Sequence, residues 1–313
     1  MCCFTKPVRV VSDTNIYSRL TGRGTQMLAY QMKYDSDELN AMILPIPIAK
    51  QAAEDSLRFI SLKGYSEFFD HLELGFPALT LAGPGFGRGG VSDSKIKPDL
   101  VVHQVGDFVA SFVPTMNDFV RLDQQFVIPK SSWDKIPAYA DYGFAVFQLK
   151  SLRGKPHPMA FEFETRFKDQ IFFPTVHIHD GEVHAREKYD HALYLQNDRF
   201  DPIVKKYLNS HVKDKKTGFV RSKKTAGEFM KVEKSAGLID PKLLVHRTRL
   251  KGTLQNKDVF TAVTPARNRK LFGGFVLPSS LAGLIGCAGL GWTINRRNLI
   301  RKNSEAKSKN DLL

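Results

Sequence analysis

With three cysteines in 313 residues, at positions 2, 3 and 287, the chain has too few thiols, too unevenly placed, for a disulfide framework. A cleavable leader pattern is also missing, because Met1-Cys-Cys-Phe-Thr-Lys6 runs straight into strand-like sequence. No internal repeat is present. Negative charge is scarce: 32 Asp and Glu stand against 46 Lys and Arg, a formal net charge of +14. The surplus is uneven, since residues 205–234 hold ten basic residues and only three acids, Asp214, Glu228 and Glu233. Such a block reads as a solvated surface or as an attraction for anionic lipid headgroups. Nucleic acid is not expected as a partner, because the block has few aromatics for base stacking and no binding motif.

What is present is globular. Hydrophobic residues make up 42% and charged residues 25%, enough for one large domain or two ordinary ones. The 23 phenylalanines, many in short alternating runs, favour β structure. Strands are expected over 8–11, 15–20, 26–32, 41–48, 100–113, 144–149 and 159–163. Pro45 and Pro47 make the fourth an edge strand or a segment that stops pairing. Tyr65, Phe68, Phe69 and Leu72 recur at helical spacing, and their aromatic stripe is core packing. A short helix is expected over 114–122, capped by Thr115 or Asn117, and another over 201–208 with Pro202 in its first turn. Gly85, Gly87 and Gly90 match a dinucleotide fingerprint by letter, but no helix follows to hold a pyrophosphate, so the stretch reads as a surface loop.

The segment richest in chemistry is Thr175-Val-His-Ile-His-Asp-Gly-Glu-Val-His184. Asp180-Gly181 suits a two-residue hairpin turn, which would pair His177 with His184 and His179 with Glu182. Period-two alternation then gathers His177, His179, His184 and Glu182 on one face. Three imidazoles and a carboxylate form a ligand set for a divalent transition metal such as Zn, Fe or Mn. His191, Asp180 and Asp190 are candidates to orient those ligands. The plainer alternative is a polar hairpin face that meets water or a hydrogen-bonded core.

Residues 271–294 carry no charge over 24 positions, long enough for a bilayer span, with Arg296 and Arg297 beyond. Gly283, Cys287 and Gly291 form a small-residue stripe of the kind that lets two membrane helices meet, which points to a homo-oligomer. The expected organisation is a β-rich domain over 1–200, a basic mixed region over 201–270, a transmembrane helix over 271–294 and a basic tail over 295–313. The expected fold class is β-rich α+β, with antiparallel sheets, a few short helices and that C-terminal hydrophobic helix. Localisation follows as a single-pass membrane protein, with the side of the main domain left open by the flanking charges.

The cysteine-containing start, Leu44-Pro-Ile-Pro47, Val105-Gly-Asp-Phe-Val-Ala110, Phe126-Val-Ile-Pro129, Tyr139-Ala-Asp-Tyr-Gly-Phe-Ala-Val-Phe-Gln-Leu149 and Phe173-Pro174 together resemble a bacterial family whose domain has no known function. The resemblance spans roughly the first two thirds of the chain. It implies a β-rich domain and a hydrophobic C-terminal segment, and it assigns no chemistry.

Three function classes remain open. One is a metal-binding protein or metal-dependent enzyme on the histidine hairpin, with Glu182 as a fourth ligand or a general base. Another is an N-terminal-nucleophile amidohydrolase, in which loss of Met1 exposes Cys2 and the free α-amine serves as base. The third is a membrane-anchored interaction or structural module without catalysis.

Overall fold

Alternation along the strand Val10–Leu20 shows how one chain builds two cores: Ile16 turns into a large apolar core and its neighbour Tyr17 into a second, smaller one. The computed structural model describes residues 2–50, 52–78, 103–106, 108–123 and 126–263. Among them are the strands β1 (Cys2–Phe4), β2 (Val10–Leu20), β3 (Thr25–Asp35), β4 (Ala41–Ile46), β5 (Leu57–Ser61), β6 (His103–Val105), β7 (Phe108–Val113) and β8 (Gly143–Leu149). The chain continues through β9 (Arg153–Gly154), β10 (Met159–Glu164), β11 (Gln170–Phe173), β12 (His177–Ile178), β13 (Arg186–Gln196), β14 (Val220–Thr225), β15 (Leu244–Gln255) and β16 (Val259–Ala262). Two α-helical segments, α1 (Phe68–Leu74) and α2 (Lys130–Trp133), complete the regular structure, with a few 3-10 turns.

One sheet runs β12-β1-β4-β8-β7-β6. A larger one runs β14-β15-β13-β2-β3-β10-β5, with β9 also on β3, and β11 pairs with β16. The two large sheets meet through phenylalanine: Phe147 of β8 lies 5.5 Å from Phe59 of β5 and 6.1 Å from Phe161 of β10, ring centre to ring centre. Aromatic rings at such separations add edge and offset attraction to the burial of their area. The far face of the larger sheet is closed by α1, whose Phe68 meets Tyr17 edge-on at 5.5 Å and whose Phe69 meets Tyr194. Tyr65, Phe68, Phe69 and Leu72 are all buried, as their helical spacing promises.

The β-rich class therefore stands, with two refinements. The sheets are mixed, because β1 runs parallel to β12 and β2 runs parallel to β13. Residues 201–263 also do not stand apart from residues 1–200. β15 pairs with β13 from Leu195↔His246 to Arg186↔Gln255, so the larger sheet crosses the expected boundary.

Several local expectations need correction. β4 is an internal strand, and Pro45 is tolerated because β1 reaches only Met42 and Ile43, leaving the missing N–H on an unpaired stretch of that side. The 201–208 segment makes turns, not a helix, because the Asp201 carboxylate takes hydrogen bonds from the Leu244 N–H and the His246 ring. Thr115 does start a helical turn, and its reciprocal bonds with Asp118 form a capping box on a 3-10 segment. No helix among the described residues is long and apolar enough to cross a membrane. The expected span at 271–294, its Gly283, Cys287 and Gly291 stripe and the glycine loop at 83–90 lie outside the described residues.

Candidate metal centre

The backbone of Thr175, Val176 and His177 is pinned by side chains from the turn that joins β15 to β16. Asp258 Oδ1 accepts from the N–H groups of Thr175 at 2.7 Å and Val176 at 3.1 Å. Asn256 Oδ1 accepts from His177 N–H at 2.7 Å, and its amide nitrogen donates to the carbonyls of His177 and His184. Tyr139 donates to the other Asp258 oxygen at 2.6 Å. The Asp258 carboxyl is pushed above the ordinary aspartate range, chiefly by burial. This clamp holds β12 so that it pairs with β1, in the register Cys2↔His177 and Cys3↔Ile178.

His177 sits at the centre of a stack of rings. Its ring centre is 4.8 Å from that of His179, 4.8 Å from His191 and 4.6 Å from Tyr189, with interplanar angles of 24°, 21° and 29°. Tyr189 and His191 arrive on β13, two residues apart and therefore on one face. His177 and His191 are both buried, and their Nε2 atoms lie 3.0 Å apart, so one must donate to the other. His191 Nδ1 accepts from the Asp190 N–H, which leaves the His191 proton on Nε2 and makes it the donor. Nδ1 of His177 and Nε2 of His179 are enclosed without a hydrogen-bond partner.

Burial is the main reason these imidazoles resist protonation. It lowers His177 to a pKa of about 2 and His179 to about 4, and holds His191 well below the ordinary histidine value. Each is thus neutral near pH 7, the state in which an imidazole can ligate a metal. One ligand atom from each of His177, His179 and Glu187 lies within 4.8 Å of the others.

The four residues expected to share a hairpin face do not come together as a set. Asp180 and Gly181 do turn the chain, with Glu182 N–H on Asp180 Oδ1 and Gly181 at φ +85°, but no strand ladder follows. The N–H and C=O of His177 that a hairpin partner would bond are taken by the Asn256 side amide, and the chain moves on to β13 between β2 and β15. His184 is exposed and pairs with Asp180 at 2.9 Å, which raises its pKa. Glu182 is also exposed and pairs with Lys135. His177 and His179 remain together, and Glu187 and His191 replace Glu182 and His184 beside them. Of the residues named beforehand as orienting groups, His191 takes that place, while Asp190 contributes its backbone N–H. Glu187, Tyr189, Asn256 and Asp258 had no local signal, because their relation to the 175–177 segment depends on contacts 10 to 83 positions apart along the chain.

No family model and no curated protein matches this chain. Among solved structures it is similar to the crystal structure of baculovirus P35, at 14% identity and a TM-score of 0.44, over 84% of this chain and 100% of that one. A structure of the caspase-8/P35 complex shows the same likeness at 14% identity and a TM-score of 0.37, covering 80% of this chain and 95% of that one.

Proposed function

We propose that this chain is a membrane-anchored, β-rich interaction module that binds one divalent transition ion, zinc, iron or manganese, on His177, His179 and Glu187. The observation that carries the reading is the pair of enclosed, partnerless ring nitrogens on two stacked neutral imidazoles, beside a carboxylate. A buried polar atom without a partner costs about 1–3 kcal/mol, and a metal bond at each nitrogen removes that cost. Donors around a tetrahedral ion stand about 3.4 Å apart, so the present spread of up to 4.8 Å closes through side-chain rotation. Ligation at His177 Nδ1 moves its proton to Nε2, so His191 must in turn carry its own proton on Nδ1 and give up the Asp190 N–H in order to accept from it. Because His177 belongs to the smaller sheet and Glu187 to the larger one, the ion ties the two together.

The test is metal analysis of protein purified without chelator, followed by zinc titration of the stripped chain. The expected result is one ion per chain, with the double variant His177→Ala and His179→Ala at background and His184→Ala unchanged. Equal metal content in the double variant and the parent would overturn the proposal. Anchoring through residues 271–294 belongs to the same reading and is motivated by their uncharged length. The full chain should stay with membranes through alkaline carbonate extraction, and its recovery in the soluble fraction would remove the anchor from the reading.

A further inference from the structure

A second cluster of chemistry lies away from the imidazoles, where β15 crosses the end of α1. Arg247 and Arg249 stand two apart on β15 and so project from one face. Both guanidinium groups donate to a single oxygen of Glu73, in the last turn of α1, and Tyr194 Oη donates to its other oxygen at 2.8 Å. Arg247 is 3% exposed, lies over the Phe76 ring at 4.4 Å and donates to the Ser210 carbonyl. Lys213, from the loop before β14, closes the cluster and donates to the Arg249 carbonyl at 3.3 Å. A cavity of about 90 Å³ opens here, lined by Lys213, Arg247 and Arg249 together with Ser210, His211, Thr248 and the apolar Val220.

The charges around this cavity do not balance. Three cations line it, and the one carboxylate beside the arginines, Glu73, already serves both of them and a tyrosine. Lys213 is lowered below the usual lysine value, first by burial and then by repulsion from Arg247 and Arg249. A dianion supplies the two missing negative charges and the acceptors that one carboxylate lacks. The space is enough for a few waters or one tetrahedral oxyanion, and too small for a nucleoside.

We infer that this notch is a binding site for a single phosphate monoester dianion, held by Lys213, Arg247 and Arg249. The phosphoryl group is either free phosphate or the headgroup of a phosphatidic-acid-type lipid, and the exposed lysines near Lys213 in sequence, Lys205, Lys206, Lys215 and Lys216, add to the positive field that draws either anion. The site is independent of the imidazole cluster.

Isothermal titration of the full chain in detergent, after chelation and dialysis to keep metal out of the result, provides the test. Inorganic phosphate and water-soluble dihexanoyl phosphatidic acid are titrated separately at low ionic strength. At least one should bind with a stoichiometry near one, and the tighter of the two identifies the source. Arg249 is 54% exposed at its side chain, so Lys213→Gln with Arg249→Gln should leave the fold intact and weaken binding about tenfold or more, the loss expected for a charge-assisted contact. Lys223→Gln with Lys224→Gln, elsewhere on the basic block, should change it less than about twofold. A measurement on the parent chain needs no variant: sulfate should compete with phosphate, and chloride at equal ionic strength should not. Absence of binding by both ligands, equal competition by chloride, or equal weakening by the two double variants overturns the inference.

Discussion

Between pH 6 and pH 5 the metal-stripped protein should lose about 4 kcal/mol of folding stability, a large share of the 5–15 kcal/mol that holds an ordinary domain together. The cause is the neutral imidazole cluster. His177, His179 and His191 have pKa values depressed by burial, to about 2, about 4 and well below normal respectively. Above pH 7 the folded and unfolded chains both carry these rings neutral, and stability does not depend on them. As pH falls through about 6.5, only the unfolded chain takes up the protons, so stability falls by about 1.4 kcal/mol per group per pH unit. The loss continues until each folded-state pKa is reached, near 4 for His179 and near 2 for His177. His246, also depressed by burial, adds in the same direction, while His184, raised by Asp180, acts weakly in the opposite one from its exposed position. Urea unfolding across this interval should show uptake of about three protons on unfolding, and a slope corresponding to fewer than one would contradict a neutral cluster.

Replacing Glu73 with Ala should cost about 2–3 kcal/mol, from the lower part of the range for a broken buried pair because the carboxylate side chain is 41% exposed. The cost arises at Arg247, whose side chain is 4% exposed and loses its counter-charge, and at the Tyr194 hydroxyl, which loses its acceptor. Adding Arg247→Met removes the stranded charge and leaves an apolar chain that can lie on Phe76, so the double variant should recover most of the stability. Guanidinium or urea denaturation of the three proteins measures this. A Glu73→Ala loss below about 1 kcal/mol, or a double variant weaker than the single, would show that the pair acts as a surface ion pair.

The candidate centre was only half legible. His177 and His179 are two apart in an extended segment, so their shared face follows from strand geometry alone, and the structure keeps them stacked. His184 and Glu182 depended on a hairpin register, and that depended on nothing else claiming the edge of β12. The Asn256 side amide claims it, from about 80 residues later, while β1, from about 175 residues earlier, pairs along the other edge. The basic block was likewise visible as composition, but which of its cations would converge was not. Lys213 lies within the block and Arg247 and Arg249 lie beyond it, on a strand whose pairing with β13 brings Arg247 opposite Tyr194.

By itself, the amino-acid pattern determined the β-rich class, the short aromatic helix α1 and the central strands, because alternation and helical spacing decide locally which side chains can be buried together. The tertiary structure alone decided the parallel pairings β1 with β12 and β2 with β13, the crossing of the boundary near residue 200 and the neighbours of each imidazole. These are choices among partners distant in the chain, made by which edges and faces are still open once the phenylalanine core has closed, and no local period records them.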